Sequence, residues 1–306
     1  MEGQKVSVLF LIFKRKAIAL KAFEPIRQYQ PERLYIAADG PRDSVNGEIE
    51  ECVAARNAIL NAIDWDCEVK TLFRDKNLGC TDAVNKGICW FLDHEEYGII
   101  NEDDIVLSQD FFKMCEILLP KYENEEKVMV ISARNHSGKF QESDEYCFVN
   151  YANIWGWATW RRAWQKNSQD FEGWSAFPKW KLVKRYGLFE GFMAIWYYNK
   201  CSKPNTEFGS WDYTWRYNIA KCDGFAIAPR VNLSTNIGIG VEGGTNFSSD
   251  DVDPYSDLTV GRIVWPLKLR SDMSLDKDQL KADQRDFFRI RMIGLRKKVK
   301  KLFLQR

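Results

Sequence analysis

Three adjacent carboxylates, Glu102, Asp103 and Asp104, follow the short apolar run Tyr97–Asn101. Like charges this close repel one another and cannot be packed away unpaired. A hard divalent cation with a diphosphate on its far side suits them. Mg²⁺ and Mn²⁺ take oxygen ligands and rely on only one or two protein carboxylates. A strand that ends in acids also places them at the carboxyl edge of a sheet, where open α/β folds bind ligands. Taken alone, the triplet fits an acidic turn as well.

The elements around the triplet alternate. Val6–Phe13, Arg33–Ala38, Glu68–Phe73, Tyr97–Asn101 and Val128–Ala133 read as strands. Between them, Ala17–Tyr29, Ile49–Ile63, Thr81–His94 and Gln109–Leu119 have helical spacing. Strands alternating with helices of this length predict a parallel sheet covered by helices. Tyr146–Arg216 is aromatic and less regular, Phe225–Leu233 reads as a further strand, and Leu275–Arg306 as a helix. Gly238–Ser249 is Gly-rich and polar, a loop expected to be mobile. The chain divides into a first part (1–135), a second part of the same domain (136–270) and a basic C-terminal helix (271–306).

Composition narrows the class. Of 306 residues, 45% are hydrophobic, enough for a full core. Residues 285–306 hold nine Lys or Arg against one acid, so the remainder is net acidic despite an overall charge of +1. An acidic body argues against nucleic acid as a partner. The eight cysteines form no CxxC pair and read as reduced thiols, which predicts a cytoplasmic location. Two histidines make zinc chemistry a poor expectation. The first residues do not read as a signal peptide, and no run is long enough to span a bilayer.

Five motifs in order resemble nucleotide-sugar glycosyltransferases of the GT-A fold. They are the first strand leading into Lys14-Arg15, then Ala38-Asp39-Gly40, then Arg74–Gly79 with Ala83–Gly87. Asn101–Ile105 with Asp110–Phe112 follows, and Ile154–Trp160 with Gly209–Asp212 comes last. The set is most similar to a bacterial group resembling N-acetylglucosaminyltransferase I. The fold expected is therefore α/β: a Rossmann-like, mostly parallel sheet flanked by helices, with an aromatic-rich acceptor side and a C-terminal helix. One departure stands out. Members of that group often carry a His after the Asn-Ile-Gly segment, where this chain has Gly243–Asn246.

The resemblance implies roles. Asp104 would touch the metal, Mn²⁺ or Mg²⁺; Asp103 would hold ribose or a metal-bound water, and Glu102 the donor sugar. Asp212 would be the base that deprotonates the attacking hydroxyl in an inverting displacement, or else cap the helix that follows. Asp39, at a strand end, would accept from uracil or ribose, or cap its own turn. Arg15 or Lys14 would meet the diphosphate. Asn77 and Gly79 make either a donor-side anion contact at a helix start or a plain turn. Trp155, Trp157 and Trp211 would stack on sugar or fill the core, with Gly156 allowing close backbone approach to Trp157.

The activity expected is transfer of a sugar from a nucleotide donor, a UDP-sugar first, to a glycan or lipid-linked hydroxyl in surface polysaccharide synthesis. The basic, amphipathic 285–306 stretch suits the anionic inner face of a membrane. A sugar-phosphate nucleotidyltransferase is the rival enzyme, disfavoured because Phe13–Lys16 is not a Gly-rich phosphate loop. A non-catalytic glycan-binding protein is the rival from another class.

Overall fold

The structure is a computed structural model that describes residues 5–135, 145–203, 211–239 and 258–304. The first half alternates as expected: β1 (Val8–Ile12), α1 (Lys16–Tyr29), β2 (Arg33–Ala38), α2 (Glu48–Asn61), β3 (Glu68–Phe73), α3 (Cys80–His94) and β4 (Tyr97–Glu102). Next come β5 (Ile105–Leu107), α4 (Gln109–Lys121), β6 (Val128–Ser132), β7 (Tyr146–Val149) and β8 (Trp157–Trp160). Four helices follow: α5 (Arg161–Trp164), α6 (Trp180–Tyr186), α7 (Leu188–Cys201) and α8 (Trp211–Lys221). The chain closes with β9 (Phe225–Pro229), β10 (Ser234–Asn236) and α9 (Lys277–Leu304).

Eight strands form one sheet in the order β3-β2-β1-β4-β8-β6-β9-β7. β3, β2, β1 and β4 are parallel neighbours, β8 runs antiparallel between β4 and β6, and β9 is again parallel to β6. The sheet is thus mostly parallel and flanked by helices, as the sequence predicts. β1, β6 and β9 are buried at every position, which is why they read as unbroken apolar runs. The β7 edge is covered: Asp276 N–H donates to Phe148 O at 2.9 Å, just before α9.

Parallel register brings three strand ends level. Ile12 pairs with Ala38 and Leu11 with Glu102. Arg15, Asp39 and the acidic triplet therefore leave the sheet along one edge. β10 and β5 make a separate two-stranded ribbon beside that edge.

The aromatic middle packs as core. Trp157, Trp164, Trp211 and Trp215 form a cluster joining β8, α5 and α8, with Trp157 stacked on Trp211 at 5.7 Å. A second cluster, centred on Phe171, Trp174, Tyr198 and Tyr217, holds α7 and α8. Trp157 is fully buried and Trp211 only 2% exposed, so neither indole has a face left for a sugar. This corrects the expectation of donor stacking: both rings pin α8 to the sheet. Gly156 serves the same packing, since a Cβ there would lie 2.3 Å from Leu107 Cδ2.

Candidate functional site

The triplet sits on a tight turn. Asn101, buried at the end of β4, donates from Nδ2 to Ile105 O at 2.9 Å and closes the turn that carries Asp103 and Asp104. Arg15, the residue before α1, meets them. Its Nη2 bonds Asp103 Oδ1 and lies 3.0 Å from Asp104 Oδ2. Burial opposes its charge, but Asp103 and Asp104 more than offset this and keep the guanidinium protonated. Lys14 does not share the site. It pairs with Glu48 at 2.9 Å and Glu51 at 3.0 Å, which removes it as a diphosphate ligand in this arrangement.

The ribbon closes over the acids. Ile237 N–H donates to Asp104 O at 2.8 Å. Gly238 follows so closely that a Cβ would lie 2.4 Å from Asp104 Oδ2 and 2.9 Å from Arg15 Nη1. Only glycine allows the backbone to approach there. The rest of the Gly-rich loop, including Gly243–Asn246, lies outside the described residues.

Asp212 arrives from the other side. It is buried in the first turn of α8, and Arg216 Nη2 lies 3.3 Å from its Oδ2. Burial opposes the Arg216 charge, and Asp212 with the nearby tyrosines maintains it. α8 packs on α3, whose first residue is Cys80. Desolvation, then the charges of Glu102, Asp212, Asp39 and Asp103, pushes the Cys80 thiol up to about 12. One sulfur thus feels four carboxylates, which come from β2, the β4 turn and α8.

Arg15 pairs with Asp103 and Asp104, and Arg216 with Asp212. Burial, then Asp104, Asp103 and Asp212, holds the Glu102 carboxyl well above the usual range; Arg15 offsets this only in part. Burial also raises Asp103, against the pull of Arg15. Asp103 Oδ2 is buried with no hydrogen-bond partner. A buried carboxylate oxygen without a partner, among neighbouring acids, is the chemistry a divalent cation relieves. Among the described residues no group of three or more His, Cys, Asp or Glu is arranged as a ready metal cage. Asp104 and Asp103 fit a Mg²⁺- or Mn²⁺-type site in which substrate phosphates and water complete the shell.

Asp39 and Asn77 stand differently. Asp39 Oδ1 accepts from Gly40 N at 2.9 Å and Leu78 N at 3.0 Å; its Oδ2 accepts from Asn77 Nδ2 at 2.9 Å and Gly79 N at 3.1 Å. Asn77 also donates to Gly40 O and accepts from Gly79 N. These two side chains fasten the 77–79 turn to the end of β2 and so set the start of α3. In this arrangement their acceptors are taken up by the protein itself, which is the turn reading, not the donor contact. Trp155, half-buried, lies under the Arg134 guanidinium at 4.0 Å.

Sequence reasoning missed Arg216 and Gly238. Arg216 was open to discovery, since it lies one helical turn beyond Asp212. Gly238 was not, because its role depends on β10 pairing with β5 across more than a hundred residues.

No family model matches this chain, and no curated protein matches it. Solved structures similar to it include a mannosyltransferase from Pyrobaculum calidifontis in complex with GDP-Man and Mn²⁺, at TM-score 0.34 and 12% identity over 52% of this chain and 45% of that one. A UDP-glucose pyrophosphorylase complexed with UDP-glucose aligns at 0.32 and 12% over 53% of this chain and 78% of that one. A UTP-bound UGPase from Acinetobacter baumannii aligns at 0.37 and 9%, over 76% and 89%. The chain spans less than half the length of the mannosyltransferase. Likenesses this loose assign neither a family nor an activity.

Proposed function

We propose that this chain is an inverting glycosyltransferase that takes a sugar from a nucleotide donor, a UDP-sugar first, and passes it to a hydroxyl of a glycan or lipid-linked acceptor. The observation that supports the reading is the acidic turn at the end of β4, where Asp103 and Asp104 meet Arg15 and one Asp103 oxygen is buried without a hydrogen-bond partner. Such a turn is suited to a cation and the diphosphate it accompanies, and Asp212, a separate carboxylate, is suited to proton abstraction.

Asp103 and Asp104 would hold Mg²⁺ or Mn²⁺. When bound, the ion supplies Lewis-acid stabilisation of the departing nucleoside diphosphate. The chain's own residues do the rest. Arg15, a guanidinium on the same carboxylates, would follow negative charge onto the phosphates. Asp212 takes the proton from the acceptor hydroxyl at its Oδ atoms, while Arg216 fixes the carboxylate's direction. Glu102, whose carboxyl burial and the neighbouring acids raise well above the usual range, would contact a donor-sugar oxygen. Direct attack inverts the anomeric centre, so one base is enough. The Trp157–Trp211 stack fixes α8 and thereby the distance of the base from the triplet.

The test is a thermal-shift screen of UDP-, GDP-, dTDP- and CMP-sugars with and without Mn²⁺, followed by turnover on glycan acceptors. Stabilisation by one nucleotide sugar that requires the metal, with release of nucleoside diphosphate, supports the reading. Release of pyrophosphate from a nucleoside triphosphate would instead make the chain a nucleotidyltransferase. Glycan binding without nucleotide or metal would make it a lectin-like protein.

A further inference from the structure

The outer face of α7 is apolar and open to solvent. Leu188, Phe192 and Trp196 recur every four residues and are 71%, 59% and 45% exposed; Phe189 beside them is 41% exposed. The surface continues onto α9, where Phe288, 47% exposed, meets Phe189 edge-on with ring centroids 5.0 Å apart. A contiguous exposed patch of large apolar side chains marks an interaction site. The junction is fixed. Gln284 Nε2 donates to Tyr186 O at 2.9 Å, and Gly187, at φ +83°, leaves room for Gln284 where a Cβ would lie 2.6 Å from its Nε2.

Charge selects the partner. Arg285 and Arg289, both exposed, flank Phe288 in sequence. Lys200 Nζ stands 4.0 Å from the Trp196 ring centroid. Of the acids on these stretches of helix, Glu190 and Asp283 are buried and Asp286 is half-buried, while Asp278 in the first turn of α9 is exposed and lies 3.5 Å from Lys281 Nζ. The chain then continues through 285–306 with nine cations and one acid. Apolar side chains rimmed by cations, with an aromatic residue at the boundary, suit the headgroup layer of an anionic bilayer.

We propose that the outer face of α7, together with the start of α9, docks on an anionic phospholipid bilayer. The opposite face of α7 carries Tyr198, whose ring packs 6.0 Å from that of Tyr217 on α8, the helix that carries Asp212 in its first turn. The docking itself stands without the glycosyl-transfer reading.

The full chain is sedimented with phosphatidylcholine vesicles, with and without phosphatidylglycerol, at low and high salt. It should pellet with the anionic vesicles at low salt and release at high salt. Leu188→Glu/Phe192→Glu should lower partitioning on the order of tenfold or more, with an unchanged melting temperature, because both side chains are exposed. Equal partitioning of variant and native chain overturns the proposal, as does failure of the native chain to bind anionic vesicles. A concentration-dependent dimer abolished by the same two substitutions, without vesicle binding, assigns the face to a second copy and also overturns it. No readout needs nucleotide or acceptor, so failure here and failure of the transferase reading are separable.

Discussion

Arg15 and Asp104 are joined at 3.0 Å, and the same guanidinium nitrogen also bonds Asp103. One cation thus stands where two carboxylates meet, and it is the nearest counter-charge to the triplet. Arg15→Ala should cost about 3–5 kcal/mol, the usual penalty for stranding buried carboxylates. Mn²⁺ should then raise the melting temperature of the variant more than that of the native chain, because it takes over the missing charge. Equal shifts in a thermal melt would show that no cation enters beside Asp103 and Asp104.

Asp212 and Arg216 form a pair one helical turn apart, at 3.3 Å. If Asp212 is the base, Asp212→Asn should lower kcat by roughly 10²–10⁴, the range for loss of a positioned base. Donor affinity measured by calorimetry should change little. Arg216→Lys keeps the charge but loses the fixed direction of the carboxylate, so its kcat should fall less. Near-native turnover of the Asn variant would remove Asp212 from the chemistry.

Much of this was open to reading in the sequence, for physical reasons that also mark where reading stops. β2 and β3 were expected at Arg33–Ala38 and Glu68–Phe73, where they lie; β2 leaves an apolar run after a polar break, while β3, half-exposed at the sheet edge, mixes polar and apolar residues. The acids at the β4 edge followed from the same logic. β8 was not foreseen as a strand: four residues buried on both faces show no alternation, and two of them are Trp. An indole fits a core and a sugar face equally well, so Trp157 could not be assigned before its neighbours Trp164, Trp211 and Trp215 were known. Asp39 posed the same problem. A carboxylate ready for a nucleoside and one ready for three backbone amides have one spelling, and the amides of Gly40, Leu78 and Gly79 are the partners here.

The Trp cluster makes a prediction of its own. Trp157 is wholly buried against three other indoles, so Trp157→Ala should destabilise the fold by about 3–5 kcal/mol. Trp157→Phe, which refills most of the space, should restore most of that stability. A sugar-stacking residue would behave otherwise, weakening donor or acceptor binding with little effect on chemical denaturation. Denaturation midpoints and binding measured on both variants separate the two outcomes.

The attachment of α9 should depend on pH. Asp283 is buried and accepts from Gln279 Nε2 at 2.9 Å, and Gln279 in turn donates to Asn135 Oδ1 at 3.1 Å. Burial raises the Asp283 carboxyl from its ordinary 3.8 to about 7; the Gln279 contact opposes this and Asp286 adds to it. Between those values the docked helix holds a proton that the unfolded chain has lost. Stability is therefore fully present at acidic pH and falls as pH rises through the window, by at most about 4 kcal/mol. Asp283→Asn cannot ionise, so it should melt higher than the native chain at pH 8 and show a flatter profile from pH 5 to 8. A native chain whose melting temperature is level across that range would show that Asp283 is ionised where it sits and that α9 pays nothing to keep it there.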